Sequence, residues 1–429
     1  MIELNELLAE HGVVGAQVAV LRDGEVVDLA AGVLNNVTGE AVTTDSIFQI
    51  GSITKVWTAT LVQELVNEGL LDLDRPVRDV LPEFRLADEE AAAVITPRHL
   101  LTHTAGFQGD LFHDTGHGDD MLEKYVALLA DARQEVPPGE LYSYCNSGFT
   151  LLGRIVEVLR GKPFRAVLRE RLIDRLGLRT AAASHAEYAA QTLATGHVGK
   201  EPKPAGKLMA EGDAPAGTVL AMSARDLLEF VRMHLGTDEF DAMREPQVVP
   251  PDFGFGGRQG LGWALHEYAD GVTGIGHNGS TRGYRAYLRV VPAAGLAIAV
   301  LTNGGESLSL ARAVFDEVLG RQGIVLPAFP TPPPVPVDVE RVVGVYRSTG
   351  LELHVTEGDG GTVKLRFERL DPDWDDFVDG DEHEFTGLRD DALIAVKSEG
   401  GYHSVAVLCG RDEEDRVKYL HWGRAARRV

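Results

Sequence analysis

The sequence is poor in cysteine and in positive charge, and both shortages exclude classes of protein. Only Cys145 and Cys409 occur among 429 residues, too few and too far apart for a disulfide framework or a cysteine metal cage. Lysine and arginine total 41 against 65 aspartates and glutamates, a formal charge of −24. Because contacts to a phosphate backbone need clustered lysine and arginine, we expect no nucleic-acid partner. The scarcity of cysteine fits a reducing cytoplasm.

Long hydrophobic runs are also missing. No apolar stretch reaches the roughly 18 uninterrupted residues that indicate a membrane-spanning helix. The first residues, MIELNELLAEHG, carry acidic side chains and no basic segment, so they predict an amphipathic helix and not a signal peptide. We therefore expect a cytoplasmic protein without a membrane partner. The length suits one large domain with a smaller one, or two comparable domains.

Changes in hydrophobic periodicity divide the first 325 residues into segments of predicted strand and predicted helix. The Asp23-Gly24 pair separates two β-branched runs and predicts a hairpin. Residues 52–69 have helical spacing, and residues 73–240 are mostly helical stretches in which Ser147 and Ser223 suit N-cap positions. Strand signals return in GYRAYLRVVPAAGLAIAVLTNGG, and a last helix follows. The pattern predicts an α/β (α+β) fold, an antiparallel sheet flanked by helices with an all-helical insertion.

A proline-rich stretch separates this part from the rest of the chain. PAFPTPPPVPVD, residues 327–338, predicts a semi-rigid linker between a domain at residues 1–326 and another at residues 339–429. Beyond the linker, alternating segments such as TVKLRFERL and SVAVLCG lie between turns rich in glycine and aspartate. They predict a small antiparallel β-barrel or sandwich. The acidic run at residues 371–384 lacks the glycine-centred spacing of a calcium loop, so we expect a solvated loop.

The string FQIGSITKVW places a serine and a lysine three residues apart at the start of a helix. Positions three apart share a helix face, so Lys55 lies close enough to Ser52 for proton transfer. The ordinary pKa of lysine is near 10.4 and must fall by roughly three units before the amine acts as a base at neutral pH. Burial and a nearby cation both lower it. Alone, the string is more typical of a helix cap beside a surface lysine.

Two further strings complete a constellation. YSYCNSG places Tyr144 and Asn146 just before a helix, and GIGHNGSTRGY places His277 and Gly279 at the start of a strand. Ser-x-x-Lys, Tyr-x-Asn and His-x-Gly, in this order, resemble the serine β-lactamase and penicillin-binding-protein superfamily, most closely its class C-like branch with esterases and D-amino-acid peptidases. TPRHLLTHTAGF and GLGWAL look like that branch too. The resemblance covers about residues 1–325.

The resemblance implies a nucleophile, its acid/base partners and an oxyanion site. Ser52 would be acylated, while Lys55 and Tyr144 would take its proton and activate the incoming nucleophile. The oxyanion would lie between the backbone N–H groups of Ser52 and Ser280. Asn146 would bind the substrate's amide carbonyl or hold Lys55 in place.

The remaining substrate contacts depart in part from the family pattern. Many β-lactamases carry a charged lysine where this chain has His277, and histidine is a weaker, pH-dependent anchor for a carboxylate. Gly279 would let a substrate backbone lie against the strand. The C-terminal segment resembles the lipocalin-like barrel of some relatives, which borders the cleft, and Arg424 would reach a substrate carboxylate. No cofactor or metal is implied, since His113 and His117 in LFHDTGHGDD lack a ligand spacing.

These residues predict an active-site serine hydrolase that forms an acyl-enzyme on a small peptide or ester, as a D-amino-acid peptidase or esterase does. One alternative is a penicillin-binding-protein-type thioesterase that passes the acyl group to an amine and cyclises a peptide. Another is a β-lactamase, made secondary by the lack of an export signal. A third is a module that binds an acyl group or peptide without turnover, against which the intact Ser52, Lys55 and Tyr144 argue.

Overall fold

A seven-stranded antiparallel sheet organises the first part of the chain, in a computed structural model that describes residues 2–333, 335–370 and 380–429. The strands of this part are β1 (Gly15–Arg22), β2 (Glu25–Gly32), β3 (Phe48–Gln49), β4 (His197–Val198), β5 (Lys203–Pro204), β6 (Ala221–Met222), β7 (Arg258–Gln259), β8 (Ala264–Glu267), β9 (Thr273–Thr281), β10 (Tyr284–Val291) and β11 (Leu296–Thr302). The sheet order is β2-β1-β11-β10-β9-β8-β7. Strand β1 pairs with β11, with Ala16 opposite Thr302, so segments distant in sequence meet at the centre.

Helices cover both faces of this sheet. They are α1 (Leu4–Glu10), α2 (Thr54–Asn67), α3 (Glu89–Val94), α4 (Pro97–Leu101), α5 (Met121–Leu128), α6 (Asn146–Arg160), α7 (Phe164–Leu168), α8 (His185–Tyr188), α9 (Ala224–Leu235) and α10 (Ser307–Gly320). A further short helix, α11 (Val339–Val342), follows the proline-rich stretch and packs with the core of the C-terminal strands. Helices α1 and α10 pack on one face, and the helical insertion packs on the other. Among the described residues, no helix is both long and apolar enough to cross a membrane.

Local sequence signals predict two of three turn and cap positions correctly. The Asp23-Gly24 turn joins β1 to β2, with φ angles of 51° and 80°. Ser223 caps α9 as predicted, since its hydroxyl accepts the Asp226 N–H. The prediction for Ser147 is wrong, because the N-cap of α6 is Cys145 and the buried Ser147 hydroxyl instead donates to a backbone carbonyl at 3.1 Å.

Eight antiparallel strands close into a barrel after the proline-rich stretch. They are β12 (Gly344–Ser348), β13 (Leu351–Glu357), β14 (Val363–Arg369), β15 (Glu382–Arg389), β16 (Ala392–Ala395), β17 (Val405–Arg411), β18 (Val417–His421) and β19 (Ala425–Arg428). Strand β19 closes the barrel by pairing with β12. The predicted fold class is confirmed, and the boundaries at residues 326 and 339 stay a prediction. Of the predicted acidic loop, residues 371–379 lie outside the described part of the chain.

The last turn of the barrel packs against the segment that precedes α6. The Gly423 carbonyl accepts the N–H of Tyr144 at 3.1 Å, and the Ala425 N–H donates to the Ser143 hydroxyl at 3.1 Å. Nearby, Ala425 packs on buried Val136. The barrel therefore contacts the backbone that carries a predicted catalytic residue.

Candidate active site

Ser52 lies in a short 3₁₀ turn that leads directly into the buried helix α2. Gly51 in this turn has a φ of 53°, and a Cβ there would lie 2.5 Å from the backbone nitrogen of Ser280. A Cβ at Gly279 would lie 1.9 Å from the carbonyl oxygen of Ile50. Glycine at both positions lets β9 contact the turn, which places the Ser280 amide beside the nucleophile. The structure shows that Gly279 makes room for this turn, and its predicted contact with a substrate backbone stays a prediction.

Lys55 is fully buried in the first turn of α2. Its Nζ donates to Ser52 Oγ at 3.1 Å, to Asn146 Oδ1 at 2.5 Å and to the Ala216 carbonyl at 2.6 Å. Burial lowers the pKa of Lys55 from 10.5 to about 7, against the opposing effect of the nearby Asp110 carboxylate. The neutral amine is therefore well populated near pH 7, in contact with the hydroxyl whose proton it would accept.

Tyr144 contacts both of these groups. The Lys55 Nζ lies 4.8 Å from its ring centroid, and the Ser52 hydroxyl is near enough to the phenol to oppose the rise in its pKa. Buried His103 stacks on the ring, with 4.3 Å between centroids. Burial raises the pKa of Tyr144 well above its ordinary value of 10, so the phenol keeps its proton at neutral pH. Of the two groups beside Ser52, the lysine is thus the one that is partly deprotonated at neutral pH.

A chain of buried polar contacts runs from Lys55 to the barrel. Asn146 Nδ2 donates to Asp110 Oδ1 at 2.5 Å, and the Arg424 guanidinium pairs with both oxygens of Asp110, with Nη2 3.0 Å from Oδ1. The Asp110 side chain is only 1% exposed. Asn146 uses both ends of its amide on protein groups, so its contacts fit the predicted role of holding Lys55. Arg424 contacts an internal carboxylate, and its predicted contact with a substrate carboxylate stays a prediction.

Sequence reasoning missed two buried carboxylates beside Lys55. Asp110 is one, and Asp213 is the other; it accepts from Thr150 Oγ1 at 2.8 Å, and burial raises its pKa to about 7. Neither belongs to a motif with a recognised spacing. The only local signal is an isolated aspartate in a stretch of small and apolar residues, GFQGDLF and GDAPAGTVL.

His277 lies half-buried on β9, with its ring centroid 6.4 Å from that of Tyr144. We predicted that the His-Asn-Gly motif lies at the start of a strand, and this is wrong. The motif occupies the later part of β9, which begins at Thr273. The Nδ1 atom is 2.6 Å from the Asn278 carbonyl oxygen. Burial, and then the nearby Lys55, lower the pKa of His277. The ring is therefore neutral at pH 7, and its predicted contact with a substrate stays a prediction.

These side chains line a cleft of about 730 Å³. Ser52, Tyr144 and His277 lie on its wall, and the barrel contributes Trp422 and Arg424. The apolar and aromatic part of the lining includes Phe112, Tyr142, Met209, Phe253, Phe255 and Leu308. A cleft of this size and composition is typical of sites for small molecules and short peptides.

One group of possible metal ligands lies away from the cleft. Glu352, His354 and Glu368, on the barrel, place one ligand atom each within 4.8 Å of the others. Glu352 accepts from Arg347 at 3.0 Å, and Glu368 accepts from Arg366 at 3.3 Å. Because arginines already neutralise the carboxylates, we interpret the group as an ion-pair network and assign no metal to it.

Sequence comparisons place the chain in a known family. The Beta-lactamase family profile matches residues 3–319, so the chain belongs to the serine β-lactamase and penicillin-binding-protein superfamily, which is of the serine-hydrolase type. The chain is 43% identical over 366 residues to penicillin-binding protein 4 of Amycolatopsis lactamdurans, covering 80% of this chain and 96% of that protein. Esterase EstB of Burkholderia gladioli is 33% identical over 41% of this chain and 48% of its own length.

Structural comparisons extend the likeness to the barrel. The crystal structure of SurE with D-Leu covers 99% of this chain and 97% of its own, with a TM-score of 0.79 and 28% identity. The class C β-lactamase from Rhodobacter sphaeroides covers 74% of this chain and 97% of its own, with a TM-score of 0.62 and 22% identity, which shows the fold alone. The family and fold predicted from the sequence are therefore confirmed.

The contact between Arg424 and Asp110 leads to a stability prediction. Arg424→Gln would leave a buried carboxylate without its cation, which is expected to lower the free energy of unfolding by about 3–5 kcal/mol. Adding Asp110→Asn removes the unpaired charge, so the double variant is expected to regain most of that loss. Urea unfolding measures both, and Arg427→Gln, at an exposed position on the strand β19 that follows Arg424, is the control. A double variant no more stable than the single one would contradict the pairing.

Proposed function

We propose that the protein is a serine hydrolase that forms an acyl-enzyme at Ser52 from a peptide or ester and releases the acyl group to water. One observation carries the proposal: the Lys55 Nζ lies 3.1 Å from Ser52 Oγ, and burial lowers the pKa of this amine to about 7. A capping serine beside a surface lysine would leave the amine solvated and charged. A module that only binds acyl groups would not need a buried free base.

In the acylation half of the reaction, the proton moves between the groups that surround Ser52. Lys55 accepts the Ser52 proton as Oγ attacks the substrate carbonyl carbon. The backbone N–H groups of Ser52 and Ser280 donate to the oxyanion. The Tyr144 hydroxyl gives its proton to the leaving group as the tetrahedral intermediate collapses, and the protonated Lys55 restores it. The leaving group departs as a neutral amine or alcohol, and Ser52 carries the acyl group.

Deacylation uses the same groups in the reverse sense. Water enters the place of the leaving group, and the Tyr144–Lys55 pair accepts its proton as the oxygen attacks the ester carbon. The Ser52 oxygen then leaves and recovers a proton from Lys55. Asn146 and Asp110 hold the lysine in place through both halves of the reaction.

The substrate class rests on the relatives and on the cleft lining. SurE was solved with D-Leu, and the relative from Amycolatopsis lactamdurans is named as a penicillin-binding protein. The aromatic and aliphatic side chains of the cleft favour an apolar residue near the reacting carbonyl. We propose a peptide or ester with a D-residue at that position. A β-lactam is a weaker candidate because the neutral His277 lacks the charge that grips a carboxylate.

Acyl transfer to an amine is the second candidate function. The cleft of about 730 Å³, walled partly by Trp422 and Arg424 of the barrel, favours it because a peptide could fold back on itself there. Water is present at roughly 55 M, so an amine competes only if the cleft orients it and raises its effective molarity. We place hydrolysis first for this reason.

A covalent probe tests the nucleophile. A fluorophosphonate is expected to add to Ser52, because an activated serine reacts where the other serines of the chain do not. Peptide mass mapping after digestion locates the adduct. A stable adduct on another serine, with none on Ser52, would contradict the proposed mechanism.

A peptide thioester separates hydrolysis from transfer. A substrate with a C-terminal D-Leu and a free N-terminal amine is expected to give mainly the linear acid, and the L-Leu counterpart is expected to react more slowly. Mass spectrometry identifies the main product. A main product lighter than the linear acid by one water would reverse the order of the two candidates, and equal rates for both stereoisomers would contradict the D-residue proposal.

A further inference from the structure

Two arginines of β10 line the cleft on the face of the sheet that points away from the nucleophile. Arg285 and Arg289 lie four residues apart on β10, so their side chains share one face of the sheet. In β9, the position of Gly279 faces the nucleophile turn. Its neighbours Asn278 and Ser280 therefore face the opposite side, and Ser280 lies directly across from Arg285. The cleft thus reaches both faces of this strand.

Neither arginine has a counter-ion among the residues that the structure describes, although the chain carries a formal charge of −24. Arg285 Nη1 donates to the Thr281 carbonyl at 3.1 Å, and Arg289 Nη1 donates to Asn278 Oδ1 at 2.8 Å. These contacts orient the two guanidinium groups. Within the described ranges, the Nε and Nη2 donors of both groups have no protein acceptor. They are available to an acceptor in the cleft.

The surroundings of Arg289 are apolar or carry neutral polar groups. Its Cζ lies 5.3 Å from the Phe315 ring centroid. A methyl group at Gly276 would lie 3.1 Å from His266 Nε2 and 3.3 Å from Arg289 Cδ, so this imidazole lies beside the arginine. The buried His266 Nε2 has no partner in the described part of the chain. Burial lowers the pKa of both arginines, which reflects a desolvated positive charge that an anion would stabilise.

A substrate can reach this side along an open strand edge. Strand β8 pairs with β9 only from Thr273 to Gly276, so the edge at residues 277–281 borders the cleft. An extended ligand that lies along such an edge presents its groups to both faces of the strand. One part would reach Ser52, and another would reach the two arginines.

We propose that Arg285 and Arg289 form a subsite for an anionic group of the substrate, a carboxylate or a phosphate. The proposal rests on the proposed function, because the anion belongs to the acyl donor that reacts at Ser52. The guanidinium fork suits both ligands, since its parallel N–H groups match pairs of oxygens on either. Asn278 positions Arg289 for this contact.

Matched substrates test the subsite in the full-length protein. The p-nitrophenyl monoester of glutaric acid, with a free carboxylate, is compared with that of glutaramic acid, whose amide is neutral. A second pair, 4-acetoxyphenyl phosphate and 4-acetoxybenzamide, places the charge on the leaving group. We expect the anionic member of at least one pair to have a kcat/KM about tenfold higher, the effect of a charge-assisted hydrogen bond. The preferred pair distinguishes a carboxylate on the acyl side from a phosphate on the leaving side.

Variants connect this preference to the arginines. Arg285→Gln and Arg289→Gln are each expected to lower kcat/KM for the preferred anionic substrate about tenfold more than for its neutral counterpart. Arg22→Gln, an exposed arginine of the same sheet, removes the same charge and is expected to keep the wild-type ratio. If a glutamine variant does not fold, the corresponding lysine variant keeps the charge without the fork and is expected to retain part of the preference.

The outcome that overturns the subsite differs from one that overturns the proposed function. If neither pair shows a preference for the anion, or if the arginine variants affect charged and neutral substrates equally, the subsite is wrong. A fluorophosphonate adduct on Ser52 and turnover of the neutral esters would in that case leave the proposed function standing. Failure to label Ser52 would instead contradict the function on which the subsite rests.

Discussion

Ser52→Ala is expected to lower kcat by roughly five orders of magnitude, since removing a serine nucleophile leaves only binding and oxyanion stabilisation. Lys55 and Tyr144 both contact the Ser52 side chain, so without Oγ neither has a proton to transfer. The substitution deletes one oxygen from a turn whose backbone is fixed by its glycines, and the fold is expected to persist. Steady-state hydrolysis of a p-nitrophenyl ester measures the loss, and thermal unfolding checks the fold.

Ser280→Ala is the matched control for this result. Ser280 is expected to act through its backbone N–H, which alanine keeps, so the loss in kcat should stay below about tenfold. Equal losses in the two variants would show that the Ser280 hydroxyl takes part in the chemistry. Retention of one-hundredth or more of the wild-type kcat by Ser52→Ala would exclude Ser52 as the nucleophile.

The residue pairs of the site that lie close together in the sequence could be predicted from it. Ser52 and Lys55 share one helix face, and Tyr144 and Asn146 stand two apart at the start of α6. The first arrangement follows from helix geometry, and the second from the extended backbone at Cys145, which turns side chains two positions apart to the same side. That the two helices bring their residues together follows from the resemblance to a family and not from local pattern. The alternation of apolar residues likewise predicted the barrel, because inward-facing positions repeat every second residue.

The rest of the site depends on contacts between distant segments. Asp110 and Arg424 are 314 positions apart, and nothing near either one indicates that it is paired. Arg285 and Arg289 have the spacing of ordinary solvent-facing strand residues, and only the sheet order shows that the cleft reaches them. Ser147 suited an N-cap by residue type, but its buried position gave it another partner. In each case, tertiary packing overrides the local preference.

The barrel is also more closely joined to the chemistry than its sequence indicates. Its alternating strands carry no motif, and the resemblance implied only a barrel that borders the cleft, with Arg424 reaching a substrate carboxylate. In the structure the Gly423 carbonyl holds the Tyr144 backbone, and Arg424 holds the carboxylate that orients Asn146. The barrel therefore supports the position of the proton donor and, through Asn146, that of the base.

Lys55→Met is expected to lower kcat/KM by about 10³- to 10⁴-fold, the contribution of a positioned general base. Lys55→Arg is expected to lose nearly as much, because a guanidinium keeps the positive charge but does not release a proton at neutral pH. Lys124→Met, at an exposed position, removes a lysine away from the cleft and should leave kcat/KM unchanged. Initial rates with one neutral ester compare the three variants.

The pH profile of the wild-type protein tests the same base without a substitution. The pKa of Lys55 is lowered to about 7 in the folded protein, and only the neutral amine accepts the Ser52 proton. The kcat/KM is therefore expected to fall as the pH drops below about 7 and to level off above it, because kcat/KM reports the ionisation of the free enzyme. A buried lysine with an ordinary pKa would instead give a rate that keeps rising toward pH 10. A profile of that second form, or a limb near pH 7 that persists in Lys55→Arg, would show that another group is the base.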